Sequence, residues 1–103
     1  MSLNDAEQRR TSAELRQNLA LTGLTTAEVA SDLDFTAARL ESTLEVDYAS
    51  DPVDVWQLRD YLEQVVLDEG RVPVPFTVLT ASSRGRARGW FRLRDAPRHV
   101  FAG

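Results

Sequence analysis

The residues best suited to recognising a ligand lie between Thr26 and Thr43. Thr36, Ala38, Arg39, Ser42 and Thr43 fall on the outward side of a short helical stretch, and Thr26 opens the stretch before it. An arginine fork can take a guanine edge with two hydrogen bonds, and hydroxyls can bond either bases or phosphates, so the chemistry on offer is groove reading of duplex DNA. Arg84, Arg86, Arg88, Arg92 and Arg94, with Arg98 beyond them, form a second group that could neutralise phosphate. Catalytic chemistry has weaker candidates. His99 is the only histidine and reads as a solvated tail residue. Asp60, Glu63, Asp68 and Glu69 make an acidic stripe, which without burial or convergence reads as a solvated face rather than a metal or acid–base site. Trp56, Tyr61, Trp90 and Phe91 could stack on bases, but their helical spacing assigns them to the core. The chain therefore reads as a non-enzyme with no cofactor and no metal.

The elements that must position these residues are legible from caps and periodicity. Thr11-Ser12-Ala13-Glu14 has the spacing of a capping box, and Gly23 supplies a left-handed stop, which predicts a first helix over 11–22. The ten residues before it read as a short turn or an arm. Thr25-Thr26-Ala27-Glu28 repeats the capping spacing and opens a second helix over 25–32, whose apolar side is Val29, Ala30 and Leu33. Asp34-Phe35 makes a corner with Phe35 turned inward. Thr36 then caps a third helix over 36–46, with Ala37, Leu40 and Leu44 on one side. Asp51 and Pro52 start a fourth helix over 53–69, the longest element. Its stripe is Val55, Leu58, Leu62, Val65 and Val66, and Asp54 sits in the positive first turn. Arg59 and Glu63 can pair across one turn.

Beyond Gly70, Val72-Pro73-Val74-Pro75 must be extended, because each proline pushes its predecessor out of the helical region. Two arrangements compete for residues 76–94. One is a helix over 83–92 capped at Ser82 or Ser83, at the expense of Gly85 and Gly89 inside it. The other pairs 76–79 with 90–93 as a hairpin. The helix is the preferred reading, and Val100 and Phe101 could dock on a neighbour.

A chain of 103 residues with 43% hydrophobic side chains is enough for one domain with one core, spanning 1–103 with a basic extension over 71–103. The absence of cysteine excludes disulfides and thiolate chemistry. No apolar run could span a bilayer and the N-terminus is polar, so a cytoplasmic protein is expected, with no membrane contact. Charge is divided unevenly. Residues 1–70 hold fifteen acids against five arginines, a net of −10, whereas residues 71–103 hold seven arginines against Asp95, a net of +6. Either the tail lies back on the body and neutralises it, or it touches nucleic acid or another subunit. A pI near 4.9 favours the first.

The apolar, alanine and cap pattern of Leu24-Thr25, Glu28-Val29-Ala30, Leu33, Phe35-Thr36, Leu40 and Leu44 resembles the helix-turn-helix of lambda-repressor-like regulators. Asp34 stands where that motif usually has glycine, and Thr26 where glutamine is common. Across almost the whole chain, MSLN, ELRQN, LTGLT, VWQLRDYLE, PFTVLT and ARGWF resemble a bacterial family of small uncharacterised proteins, domain of unknown function 2316. That resemblance implies an all-α helical bundle and a bacterial origin, and no activity. Within Leu24–Val46 one arginine faces five acids, a net of −4. Two functions follow. One is a helix-turn-helix protein binding duplex DNA, as a bacterial transcriptional regulator. The other is an acidic helix-turn-helix scaffold for protein contact or homodimerisation. The usual role of the motif favours DNA; its charge favours the scaffold.

Overall fold

The computed structural model describes residues 3–47 and 49–101. Five helices and no strand occur among them: α1 (Asp5–Thr22), α2 (Thr26–Leu33), α3 (Ala37–Glu45), α4 (Pro52–Asp68) and α5 (Ala81–Arg88). The architecture is an all-α small bundle, and the hairpin over 76–79 and 90–93 does not form.

The first helix begins at Asp5, six residues before the expected start. Asn4 is its N-cap, and Asn4 and Glu7 form a reciprocal capping box. Two boxes therefore compete, Asn4…Glu7 and Thr11…Glu14. The earlier one wins because Ala6, Glu7, Gln8, Arg9 and Arg10 between them all propagate a helix. Thr11 thus lies inside α1, fully buried, and Glu14 is released for a tertiary role. The other expected starts hold. Thr25 caps α2 with Glu28 in a capping box, Thr36 caps α3, and Asp51 caps α4 with Pro52 in its first turn. The corner between α2 and α3 turns on Asp34, at φ 58°, and Phe35 enters the core.

α4 is the axis of the bundle. Trp56, Leu58, Tyr61, Leu62, Val65 and Val66 are all essentially inaccessible, so this helix is covered over more than one face. α1 and α3 pack against it, α1 also packs on α3, and α2 lies against α3. Leu15, Val29, Leu33, Phe35, Leu40 and Leu44 complete one cluster with it.

The proline segment closes the bundle across α1. Buried Asn18 accepts from the Val74 amide at 2.9 Å and donates to the Val74 carbonyl at 3.0 Å. Glu14 accepts from the Thr77 amide at 3.1 Å and from its hydroxyl at 2.8 Å. Prolines 73 and 75 have no amide hydrogen, so Val74 carries the one amide of this stretch, and a side chain of α1 pairs it. Phe76 and Leu79 follow into the core, and the Arg59 guanidinium lies 4.7 Å over the Phe76 ring.

The last helix is displaced by two residues from its expected start. Thr80 is the cap, and Ser83 turns its hydroxyl to the Val78 carbonyl at 2.8 Å instead of capping. The helix stops at Arg88, before Gly89. Trp90 consequently leaves the helical face that would have buried it and is 76% exposed. Residues 90–101 then run back over the bundle without regular structure.

Candidate nucleic-acid interface

α3 is short because Thr36 and Val46 bound it, and its position is set by Leu40 and Leu44 in the core. The residues around its N-terminus, Thr36, Ala37, Ala38 and Arg39, are exposed. Thr36 is less available than its exposure suggests, since its hydroxyl accepts from the Arg39 amide at 3.1 Å. Ser42 is half-buried. Thr43 does not face outward: it is 1% exposed, and its hydroxyl donates to the Arg39 carbonyl at 2.7 Å. One residue of the expected contact set is therefore a core residue. The cause is a rotation of the buried arc: Leu40, Thr43 and Leu44 face inward, whereas Ala37, expected on that side, is exposed. On α2, Thr26 is exposed in the first turn.

Arg39 carries the strongest interaction of this surface. Its Nε and Nη2 donate to the two oxygens of Asp54, each at 2.8 Å, and its guanidinium lies 4.1 Å over the Phe35 ring. Asp54, in the first turn of α4, is only 3% exposed. Arg94 from the tail donates to the same carboxylate. Burial pushes the Asp54 carboxyl up, but the hydrogen bond and charge of Arg39, with the charge of Arg94, outweigh it and hold the group below its usual range. The Arg39 guanidinium is correspondingly raised, chiefly by its bond to Asp54. One buried carboxylate thus ties the opening of α3 to the basic tail.

The rest of the tail follows α4. Gln57 donates to the Asp95 carbonyl at 3.1 Å. Arg84 grips both oxygens of Asp60 and lies 4.9 Å over the Trp56 ring. Arg98 donates to Asp68 at 2.6 Å. His99 is not a solvated tail residue. Its side chain is 12% exposed, and its Nδ1 lies 2.5 Å from Asp32, whose carboxylate also accepts from the Tyr61 hydroxyl. Burial, followed by the bond to Asp32, drives the Tyr61 phenol upward. Of the acidic stripe, Asp60 and Asp68 are ion-pair partners of the tail rather than members of a solvated face. Val100 remains 86% exposed, while Phe101 lies edge-on to the His99 ring.

Between α5, the tail and α4 lies an open hollow of about 590 Å³, lined by Asp60, Arg84, Arg88 and residues 89–95. Arg84 and Arg94 reach it from their ion pairs, whereas Arg88 and Arg92 have no carboxylate partner among the described residues. Arg86, on the same helix, donates to the Ser83 hydroxyl at 3.3 Å. Elsewhere, Glu41 and Glu45 of α3 are both held by Arg16 of α1, so its two acids do not project as unpaired charge.

Residues 1–92 match the model of a family described as uncharacterized proteins conserved in bacteria, domain of unknown function 2316. The chain belongs to this family. Family membership covers all five helices and the tail as far as Arg92, and it brings no activity with it. No curated protein and no solved structure matches the chain. Among the described residues no helix is long and apolar enough to cross a membrane, and no cluster of three acids or histidines is placed to hold a metal ion.

Asp54, Asn18 and Glu14 have tertiary roles that the sequence pattern marks only indirectly. Asp54 has the place of a helix-dipole residue in the first turn, but its spacing of four from Leu58 and seven from Tyr61 also puts it on the buried stripe. Asn18 shared a face with Leu15 and Leu19, which marked it as an interior polar group needing a partner.

Proposed function

We propose that this protein binds duplex DNA through the start of α3 and the arginine arm beside it, as a small bacterial regulator of the helix-turn-helix type. The observation that supports the reading most is the shared Asp54 carboxylate, which brings Arg94 next to Arg39. Two guanidinium groups on one carboxylate leave one positive charge in excess. Either arginine can turn to a phosphate while the other keeps the buried carboxylate paired. Arg88 and Arg92 extend the same basic surface. Three such cations per protomer, one of the Arg39 and Arg94 pair together with Arg88 and Arg92, would release about three counterions, giving a slope of log K against log salt of about −3. Affinity would fall roughly 40-fold between 50 and 200 mM salt on that slope. Fluorescence anisotropy with random-sequence duplex at 50 mM salt tests this. The expected result is micromolar binding, with a shallower salt slope in Arg88→Ala/Arg92→Ala. Absence of binding at micromolar protein would end the reading.

A second reading is a protein-contact scaffold. Its support is that residues 90–101 are fastened to the body by side-chain pairs, and an identical set would form if the tail crossed to a second copy. Gel filtration over a salt series decides it: a monomer at every salt and concentration excludes the exchanged dimer.

A further inference from the structure

The hollow beside α5 joins arginines that duplex contact would also use to an exposed aromatic ring that it would not. Trp90 is the most exposed aromatic residue of the described chain, and it lies on the hollow's wall between Arg88 and Arg92. A solvent-facing indole held among unpaired guanidinium groups has no role in the fold, whereas the other tryptophan, Trp56, is buried under Arg84. The lining holds Arg84, Arg88, Arg92 and Arg94 against Asp60 and Asp95, a net of +2. Asp60 is already covered by Arg59 and Arg84. Two guanidinium forks with no carboxylate partner suit the bidentate geometry of phosphate oxygens. An open indole face accepts any nucleobase. A volume of about 590 Å³ is in the range that holds a small ligand.

We infer that this hollow is a nucleotide site, in which Arg88 and Arg92 take the phosphates and Trp90 stacks on the base. The inference goes beyond duplex reading and does not require it, because it concerns a single nucleotide unit. That unit can be a free nucleotide or one residue of a single strand.

The test is calorimetry and tryptophan fluorescence with ATP, inorganic tripolyphosphate, dTMP and oligo(dT), on the full chain without duplex. ATP is expected to bind and to quench emission, which reports Trp90 because Trp56 is enclosed. Trp90→Leu should weaken ATP about fivefold or more, the loss of one stacked base, and leave tripolyphosphate unchanged. Arg88→Ala/Arg92→Ala should weaken both. All three side chains are free of core contacts, so thermal melts should match wild type and exclude a folding defect. Oligo(dT) binding far more tightly than dTMP would identify a strand as the source of the nucleotide; equal affinity would identify the free nucleotide. No binding of any nucleotide at millimolar concentration overturns the inference, as does tripolyphosphate binding as tightly as ATP. Failure of duplex binding leaves these outcomes untouched.

Discussion

Asp54 offers the sharpest test of how this fold holds its charges. The carboxylate is buried, while its two partners are half-exposed, with side-chain accessibilities of 41% for Arg39 and 46% for Arg94. Truncating Arg39 leaves Asp54 paired with Arg94 and removes the stack on Phe35, so Arg39→Ala should cost about 1–2 kcal/mol. Arg94→Ala, with the bidentate Arg39 pair intact, should cost about 1 kcal/mol or less. Removing both leaves a buried carboxylate alone, for which the cost is about 3–5 kcal/mol. The double variant should therefore lose about 1–2 kcal/mol more than the sum of the singles, well outside ordinary additivity. Urea unfolding followed by circular dichroism measures the full cycle. In the doubly truncated chain, Asp54→Asn should recover stability, because the neutral amide no longer needs a cation. The pH dependence has a fixed sign. The folded carboxyl lies below its usual range, so its contribution is present above the unfolded pKa of about 3.9 and is lost as pH falls through the folded value. Asp54→Asn should accordingly lose less stability on acidification than wild type. Additivity of the two arginine truncations within about 0.5 kcal/mol would refute the shared-carboxylate account.

Asn18→Leu keeps the branched shape of the side chain but strands the amide and carbonyl of Val74, so it should cost about 2–3 kcal/mol and abolish hydrogen-exchange protection of the Val74 amide. Protection that persisted would mean the proline segment is held by Phe76 and Leu79 alone. Asp34 occupies the left-handed region at φ 58°, where glycine carries no penalty, so Asp34→Gly should leave the melting temperature unchanged or raise it by a few degrees. A clear fall would show that the Asp34 side chain has a stabilising role the corner geometry does not reveal.

Local signals made α2, α3 and α4 legible, because each begins at a capping residue directly before its own apolar period. The same signal misplaced α1. A capping box marks where a helix can start, but Asn4 offers an earlier start and nothing between Asn4 and Thr11 stops propagation. Beyond Gly70 the determinants are no longer local. The extended path of 71–79 depends on Asn18 and Glu14, more than fifty residues earlier in the chain. The candidate interface was half legible for a similar reason. The exposed residues Thr26, Ala38 and Arg39 follow from helical periodicity, while the pairing of Arg39 with Asp54 and the burial of Thr43 follow from how α3 meets α4. Trp90 was assigned to the core by its spacing from Ala87, and that spacing lost its meaning when the helix ended at Arg88.

The uneven division of charge now has a structural resolution, and that resolution separates the arginines of the tail by role. α4 presents Asp54, Gln57, Asp60 and Asp68 to the returning chain, and Arg94, the Asp95 carbonyl, Arg84 and Arg98 meet them. A tail standing off in solvent would enlarge the molecule, yet the radius of gyration is 12.9 Å, close to the roughly 13 Å of a folded chain of this length. Neutralising the body therefore accounts for Arg84, Arg94 and Arg98, and for Arg71 beside Glu69 at 3.6 Å. It leaves Arg86, Arg88 and Arg92 without an acid among the described residues. Two of these three face one hollow, with an exposed indole between them. Neutralisation alone would scatter surplus cations over the surface, where each is best solvated and like charges are farthest apart. Like charges gathered around one hollow repel one another, and the nucleotide phosphates proposed above would offset that repulsion.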